Sequence, residues 1–268
     1  MAVLSGKIEV PTASGVDRMG EEIHTCEFSD EDFANFKQQL EVETATLARL
    51  FTEQRFAQSH PVAGFELEVW LIDAALRPVA RNEEFLTRFD NPLASPELAS
   101  FNIEVNTVPR SLQGSVFSVM HQSLSETWLA CRNTAQAMGI DVIMCGILPS
   151  LLDADLTLAN MSGMQRYRAL NREVLQRRKG KPLVLDINGV EHLRVTHHDV
   201  MLESAATSFQ LHIQVNQQQA ARYYNASQIL SAPMVALCAN SPYLFGKDLW
   251  DVTRTMLVLI VSPRLFFS

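Results

Sequence analysis

The sequence predicts an α+β fold built on a mainly antiparallel sheet, and three observations predict it. Long stretches with helical spacing alternate irregularly with a few strand patterns, not in a regular strand–helix wind. The glycine-rich fingerprints of dinucleotide-binding and P-loop folds are missing. Three strand patterns each pair an apolar side with a side of carboxylates, amides or imidazole. At 268 residues and 47% hydrophobic, the chain can bury a substantial core, and no repeat, low-complexity tract or linker divides it.

The elements follow in order. Residues 1–28, punctuated by Gly, Pro, Ser and Thr, form an irregular arm. Ser29 is an N-cap candidate for "SDEDFANFKQQLEVETATLARLFTEQRF", whose first-turn acids and apolar spacing predict an amphipathic helix of about 30 residues. "GFELEVWLID" (64–73) is a strand closed by the turn "ALRP", and "FNIEVNTVP" (101–109) is a second, ended by Pro109. After Gly114, "SVFSVMHQSLSETWLACRNTAQAM" is a long helix with Gly139 in the C′ position. "IDVIMCGILP" (140–149) reads as a buried strand and 164–178 as a helix. "KPLVLDING" (181–189) reads as a short strand or hairpin arm, and "TSFQLHIQV" (207–215) as a cleanly alternating strand. "QQQAARYYNASQIL" and "APMVALCANS" predict two helices, one on either side of Pro233.

Composition narrows the function classes. A net charge of −8, from 30 acidic and 22 basic residues, argues against nucleic-acid binding, which needs a basic surface. The four cysteines are scattered without a C-x-x-C pair, and three lie in apolar contexts as small core residues, so a reducing compartment is expected. "MAVLSGKIEVPTASG" lacks the basic start and apolar core of a signal peptide. The most apolar run, "MLVLIV" (256–261), is far short of the about 20 residues of a membrane span. The expectation is a cytoplasmic protein with no membrane partner.

The polar sides of the strands carry the chemistry. Glu66, Glu68 and Trp70 oppose Phe65, Leu67, Val69 and Leu71; Glu104 and Asn106 oppose Ile103 and Val105; Gln210, His212 and Gln214 oppose Phe209, Leu211 and Ile213. A merely solvated face would carry lysine, arginine, serine and threonine, and these faces carry none. Glu66 and Glu68 stand roughly 7 Å apart on one face, where like charges repel. A hard divalent cation such as Mg²⁺, usually shared with phosphates, is the simplest way to hold them together. That inventory points to phosphoryl chemistry. Glycoside hydrolysis by a carboxylate pair and a purely structural or binding role remain as alternatives.

Six stretches together resemble the glutamate–cysteine ligase family, and within it the bacterial carboxylate–amine ligases. They are "GFELEVWLID" (G-x-E-x-E), "NIEVNTVP", "GILPSL", "MSGMQRYRAL", "TSFQLHIQV" (Q-x-H) and "ALCANSPYLFGKDLWDVTR", in family order from about residue 60 to 257. The resemblance implies a glutamine-synthetase-like catalytic fold, with helices packed on the sheet face opposite the polar, metal-binding one. It implies ATP-dependent formation of an amide, most simply a γ-glutamyl bond, through an acyl phosphate, with ATP and amino acids as the small-molecule substrates. Mg²⁺ (with Mn²⁺ as the substitute) would be held by Glu66, Glu68, Glu104 and His212, with Gln210 beside them. Arg166 and Arg254 would be catalytic, and with Tyr167 and Asn106 would bind substrate or ATP. Asn240 and Ser241 would shape their loop.

His197 and His198 ("THHDV") are expected on a surface loop, and "QRRKGKP" (176–182) in a solvated basic turn. The similarity fades after Arg254–Met256, and 258–268 is a divergent apolar tail. The expectation is therefore an incomplete catalytic domain over 29–257, with an uncovered sheet edge that favours self-association. The alternative reading is an inactive homologue that binds Mg-ATP or a partner without turnover.

Overall fold

The structure is a computed structural model, and it describes residues 22–255 and 257. The tail at 258–268 and most of the N-terminal arm lie outside the described residues. Helix α1 (Asp30–Thr52) starts as its sequence dictates, in a capping box where Ser29 Oγ accepts from the Asp32 amide and Asp32 accepts from the Ser29 amide. It has 23 residues, fewer than predicted, and none is buried. Its apolar stripe has no covering element among the described residues.

Strand β1 (Val62–Ile72) is the axis of a six-stranded antiparallel sheet. Helix α2 (Asn82–Phe89) leads into the hairpin of β2 (Ala94–Pro96) and β3 (Asn102–Asn106), followed by the short β4 (Arg110–Ser111). β3 and β4 flank one edge of β1. Helix α3 (Val116–Ala137) ends where Gly139 adopts φ +70°, the left-handed conformation that glycine takes without steric cost. Strand β5 (Asp141–Ile143) and β8 (Phe209–Gln214) line the other edge of β1. β5 is much shorter than the 140–149 run predicted, because the chain leaves the sheet to place Ile147, Leu148 and Leu151 in the core.

Helix α4 (Gln165–Arg177) precedes a separate hairpin of β6 (Leu183–Asn188) and β7 (His192–His197). Helix α5 (Ala220–Leu237) runs through Pro233 without a break, correcting the two-helix expectation. Proline forfeits one backbone bond, and the helix around it tolerates that where water reaches the freed carbonyl. A last hairpin joins β9 (Tyr243–Leu244) and β10 (Lys247–Asp248).

Two large clusters make most of the core, and a small third one joins Ala63 to Val116 and Met120 of α3. Leu67, Val69, Leu71, Ile103, Val105 and Val142, from the apolar side of the sheet, pack on Phe85 of α2 and on Cys131 and Ala135 of α3. On the opposite side, Trp70 stacks on Phe101 at 5.4 Å and joins Ile147, Leu185, Met201 and Leu257. Helices thus cover the β3–β1–β5 part of the apolar face. They do not cover β8, whose Phe209, Leu211 and Ile213 are 49%, 57% and 48% exposed. Two smaller expectations are also corrected. Cys238 is exposed rather than a core residue, because it caps the uncovered helix α5. His197 ends β7 and is buried, its Nε2 2.8 Å from Asp153 Oδ1, so it is not on a surface loop.

Candidate functional site

Register brings the polar sides together. β1 pairs antiparallel with β3 and β8, setting Glu66 opposite both Asn106 and Gln210, and Glu68 opposite Glu104. Residues directly opposite share a face, so all seven sequence-predicted polar residues of these strands lie on one floor. His212 stands opposite Gly64, which has no side chain to fill that place. The imidazole reaches diagonally instead, its Nε2 2.6 Å from Glu66 Oε2.

The two like charges of β1 have separate partners. Glu68 accepts from the Ser208 amide at 2.9 Å, from Ser208 Oγ at 2.6 Å and from Gln210 Nε2 at 3.3 Å. Burial nevertheless holds its carboxyl above the usual range, the Ser208 and Gln210 bonds opposing and the Glu104 charge adding. Glu66 is raised to about 7, first by its hydrogen bond with the Glu104 carboxyl, then by burial and the Glu104 charge, with His212 opposing. Burial pushes Glu104 up, but bonds from Glu66, Asn106, Glu97 and Ser95 outweigh it and hold Glu104 below the usual range. Asn106 Nδ2 donates to Glu104 Oε1 at 2.6 Å, and Ser95 Oγ donates to the same oxygen at 3.4 Å. The three carboxyls are thus pushed apart, Glu66 and Glu97 toward the neutral form and Glu104, which lies between them, toward the charged one.

Glu97 is one of two glutamates that sequence reasoning missed. It follows β2 and faces Glu104, and burial, together with the Glu68 and Glu104 charges, raises its carboxyl to about 8. Glu203, in the 3-10 turn Met201–Ala205, is also raised, by burial of its carboxyl and by the Glu68 charge. A signal existed for both: "SPELAS" and "MLESAA", like "FELEVW", set a glutamate inside an otherwise small or apolar run. What hid them was their position off the strands, where alternation says nothing.

A cleft of about 490 Å³ opens beside this floor, lined by Glu68, Glu97, Tyr167, Glu203, Ser208 and Arg254 among others. Arg254 Nη1 donates to the Thr207 carbonyl at 3.0 Å. Its approach depends on Gly146, because a Cβ there would collide with Ser241 Oγ and lie 3.2 Å from Arg254 Cδ. Tyr167 Oη donates to the Pro96 carbonyl at 2.9 Å, and burial first, then the Glu97 charge, pushes the phenol up to about 12. Arg166 is not part of this cleft. Its guanidinium lies over the Tyr167 ring, and the side chain lines a second cleft of about 930 Å³ with Ser95, Asn82 and Glu22. There the Glu22 carboxylate accepts from the Gln165 and Arg166 amides at 2.7 and 3.3 Å.

Among the described residues, none of the five glutamates is ion-paired with lysine or arginine, and the neighbour of Glu66 on the open strand is the His212 imidazole. This donor set, crowded carboxylate oxygens with an imidazole beside them, fits a hard divalent cation, which would offset the repulsion of the like charges. As the side chains stand, no three His, Cys, Asp or Glu among the described residues converge on one ion position.

The profile of the glutamate-cysteine ligase family 2 (GCS2) matches residues 62–258. The chain belongs to that family. The matched span opens at β1 and takes in every strand of the acidic floor as well as Arg254. Membership supports a ligase at the level of the family. Among solved structures, a glutamate–cysteine ligase (gshA) from Francisella tularensis in complex with AMP is similar at 12% identity and a TM-score of 0.37. The likeness covers 69% of this chain and 33% of that one, so the chain spans about a third of that protein's length. No curated protein matches significantly. Among the described residues, no helix is long and apolar enough to cross a membrane.

Proposed function

We propose that this chain is an ATP- and Mg²⁺-dependent carboxylate–amine ligase that joins an amino-acid carboxylate to an amine, with glutamate and cysteine as the leading pair. The observation that carries the reading is the crowding of Glu66, Glu68, Glu97 and Glu104 beside a cleft that also holds Arg254. In the reaction, a carboxylate oxygen of the first amino acid attacks the γ-phosphorus of ATP and ADP leaves. The amine then attacks the acyl carbon, phosphate leaves with the bonding pair, and the amine gives up a proton. Glu66, Glu68, Glu97 and Glu104 would hold the cation, with His212 and Gln210 at the open end. Bound there, Mg²⁺ would neutralise charge on the transferring phosphoryl group. Arg254 supplies a fixed positive charge that can fork onto a carboxylate or phosphate at the cleft. Asn106 orients Glu104, and Tyr167 fixes the β2 turn from which Glu97 projects. Arg166 faces the second cleft, where the amides of α4 already hold one carboxylate.

The test is phosphate release from ATP with Mg²⁺ across a panel of amino-acid pairs. Release that needs both members of one pair is expected; release indifferent to either amino acid would falsify the proposal. A second reading, in which Mg-ATP binds without turnover, rests on the same acidic floor and cleft. It predicts saturable binding of Mg-ATP with no phosphate released for any pair.

A further inference from the structure

Most polar side chains that line the cleft of about 490 Å³ are spent inside the protein. Tyr167 Oη donates to the Pro96 carbonyl at 2.9 Å, Thr207 Oγ1 to the Cys145 carbonyl at 2.5 Å and Ser204 Oγ to the Met201 carbonyl at 2.7 Å, while Ser208 is bound to Glu68. Asn102 and Glu203 are not. Asn102 is 2% exposed and stands opposite Trp70, on the same row of β3 as Glu104. Its backbone is satisfied, the amide donating to the Ala99 carbonyl at 2.9 Å and the carbonyl accepting from Asn82 Nδ2 at 3.1 Å. Its side-chain Nδ2 is enclosed and has no acceptor among the described residues. A buried amide without a partner costs the free protein stability, and leucine would fill the same shape without that cost. The carboxamide borders the cleft and its terminal torsion turns easily, so a ligand that enters there can bring the missing acceptor.

Glu203 offers the opposite chemistry. It lines the cleft from the 3-10 turn, with no lysine or arginine ion-paired to it among the described residues, and enclosure and the Glu68 charge hold its carboxyl above the usual range. An unfilled donor and an uncompensated acceptor on one cleft, with Arg254 beside them, suit a ligand that carries an oxyanion and a cation close together. The α-carboxylate and α-ammonium of a free amino acid are such a pair. We propose that Asn102 and Glu203 are substrate-binding residues that read this head group, Asn102 Nδ2 donating to the α-carboxylate and the Glu203 carboxylate accepting from the α-ammonium. Such recognition presupposes the ligase reading of the cleft and narrows it: an acid without the α-ammonium leaves Glu203 enclosed and unpaired, and is rejected.

The test is titration calorimetry of L-glutamate and of glutarate, which lacks only the α-ammonium, on the full chain with Mg²⁺ present, for the wild type, Glu203→Gln and Asn102→Leu. The wild type is expected to bind L-glutamate at least about 10-fold tighter than glutarate. Glu203→Gln should weaken L-glutamate about 10-fold and leave glutarate within about twofold, so that the preference disappears. Asn102→Leu should weaken both ligands about 10-fold and keep the preference, with a denaturation midpoint no lower than that of the wild type. A wild type that binds no L-glutamate, the result if another segment fills the cleft, overturns the proposal, and so does one without preference over glutarate. Equal weakening of both ligands in Glu203→Gln overturns it too. So does unchanged affinity in Asn102→Leu, or a lower midpoint for that variant, which is the mark of a structural amide. Phosphate release separates the two readings. If the binding pattern holds and no amino-acid pair releases phosphate, the ligase reading fails and the two residues keep their role.

Discussion

The two halves of the central sheet obey one sequence rule and meet different fates. Around β3 and β5, the alternation of apolar and polar residues is answered on both sides, by α2 and α3 on one and by the Trp70–Phe101 cluster on the other. In β8 the same alternation meets only side chains of β1 and Ser208, no helix or second layer covers it among the described residues, and all six residues are exposed. Both halves nevertheless contribute to one acidic floor. The comparison teaches that alternation specifies which residues share a face, but not whether anything covers it.

The largest expected contrast lies in stability. Ile103→Ala empties a fully buried site under α2 and α3 and should cost about 2–5 kcal/mol, whereas Leu211→Ala should fall within about 0.5 kcal/mol of wild type. Denaturant unfolding of the two variants measures the difference, and equal costs would erase the contrast between the halves. Next comes catalysis. Glu68→Gln and Glu104→Gln, on the enclosed side, should each lower phosphate release at least about 100-fold, and His212→Gln on the open strand about 10-fold. A larger loss at His212 would place the working centre on β8 instead.

A smaller effect follows from pH. Glu97 and Glu66 have folded-state values of about 8 and about 7, above the ordinary 4.5. Between pH 4.5 and 8 the folded state therefore binds more protons than the unfolded one. Their contribution to stability is full below that window, falls as pH rises through it, and is flat above it. The stability of Glu97→Gln relative to wild type, in metal-free buffer, should therefore rise from pH 5 to pH 8. A gap that stays constant or narrows would mean that Glu97 does not share its environment with Glu68 and Glu104. The smallest expected effect, a several-fold rise in KM, is that of Gly146→Ala, which displaces Ser241 and Arg254. Adding Ser241→Gly should recover most of it, which a general loss of packing would not allow.

Much of this was legible in sequence, for reasons that particular residues make plain. Ser29 and Gly139 fixed helix ends because capping chemistry is local. Glu66, Glu104 and Gln210 could be assigned to one face because strand alternation has a strict period of two, and register then brought the faces together. Glu97 and Glu203 escaped because they sit on turns, and the second cleft that Arg166 lines was not legible because which side of Tyr167 a neighbour occupies is set by packing. The shortness of β5 and the continuity of α5 through Pro233 are likewise tertiary outcomes that no local propensity carries.

The central claim is that the enclosed glutamates hold a divalent cation for a nucleotide. Titration calorimetry of ATP at pH 7, with and without Mg²⁺ and in buffers of different ionisation enthalpy, tests it most directly. The account predicts binding that requires Mg²⁺, expels protons as Glu66 and Glu97 become ionised, and is lost in a Glu68→Gln/Glu104→Gln variant. ATP binding that ignores Mg²⁺, releases no proton, or survives in that variant would contradict it.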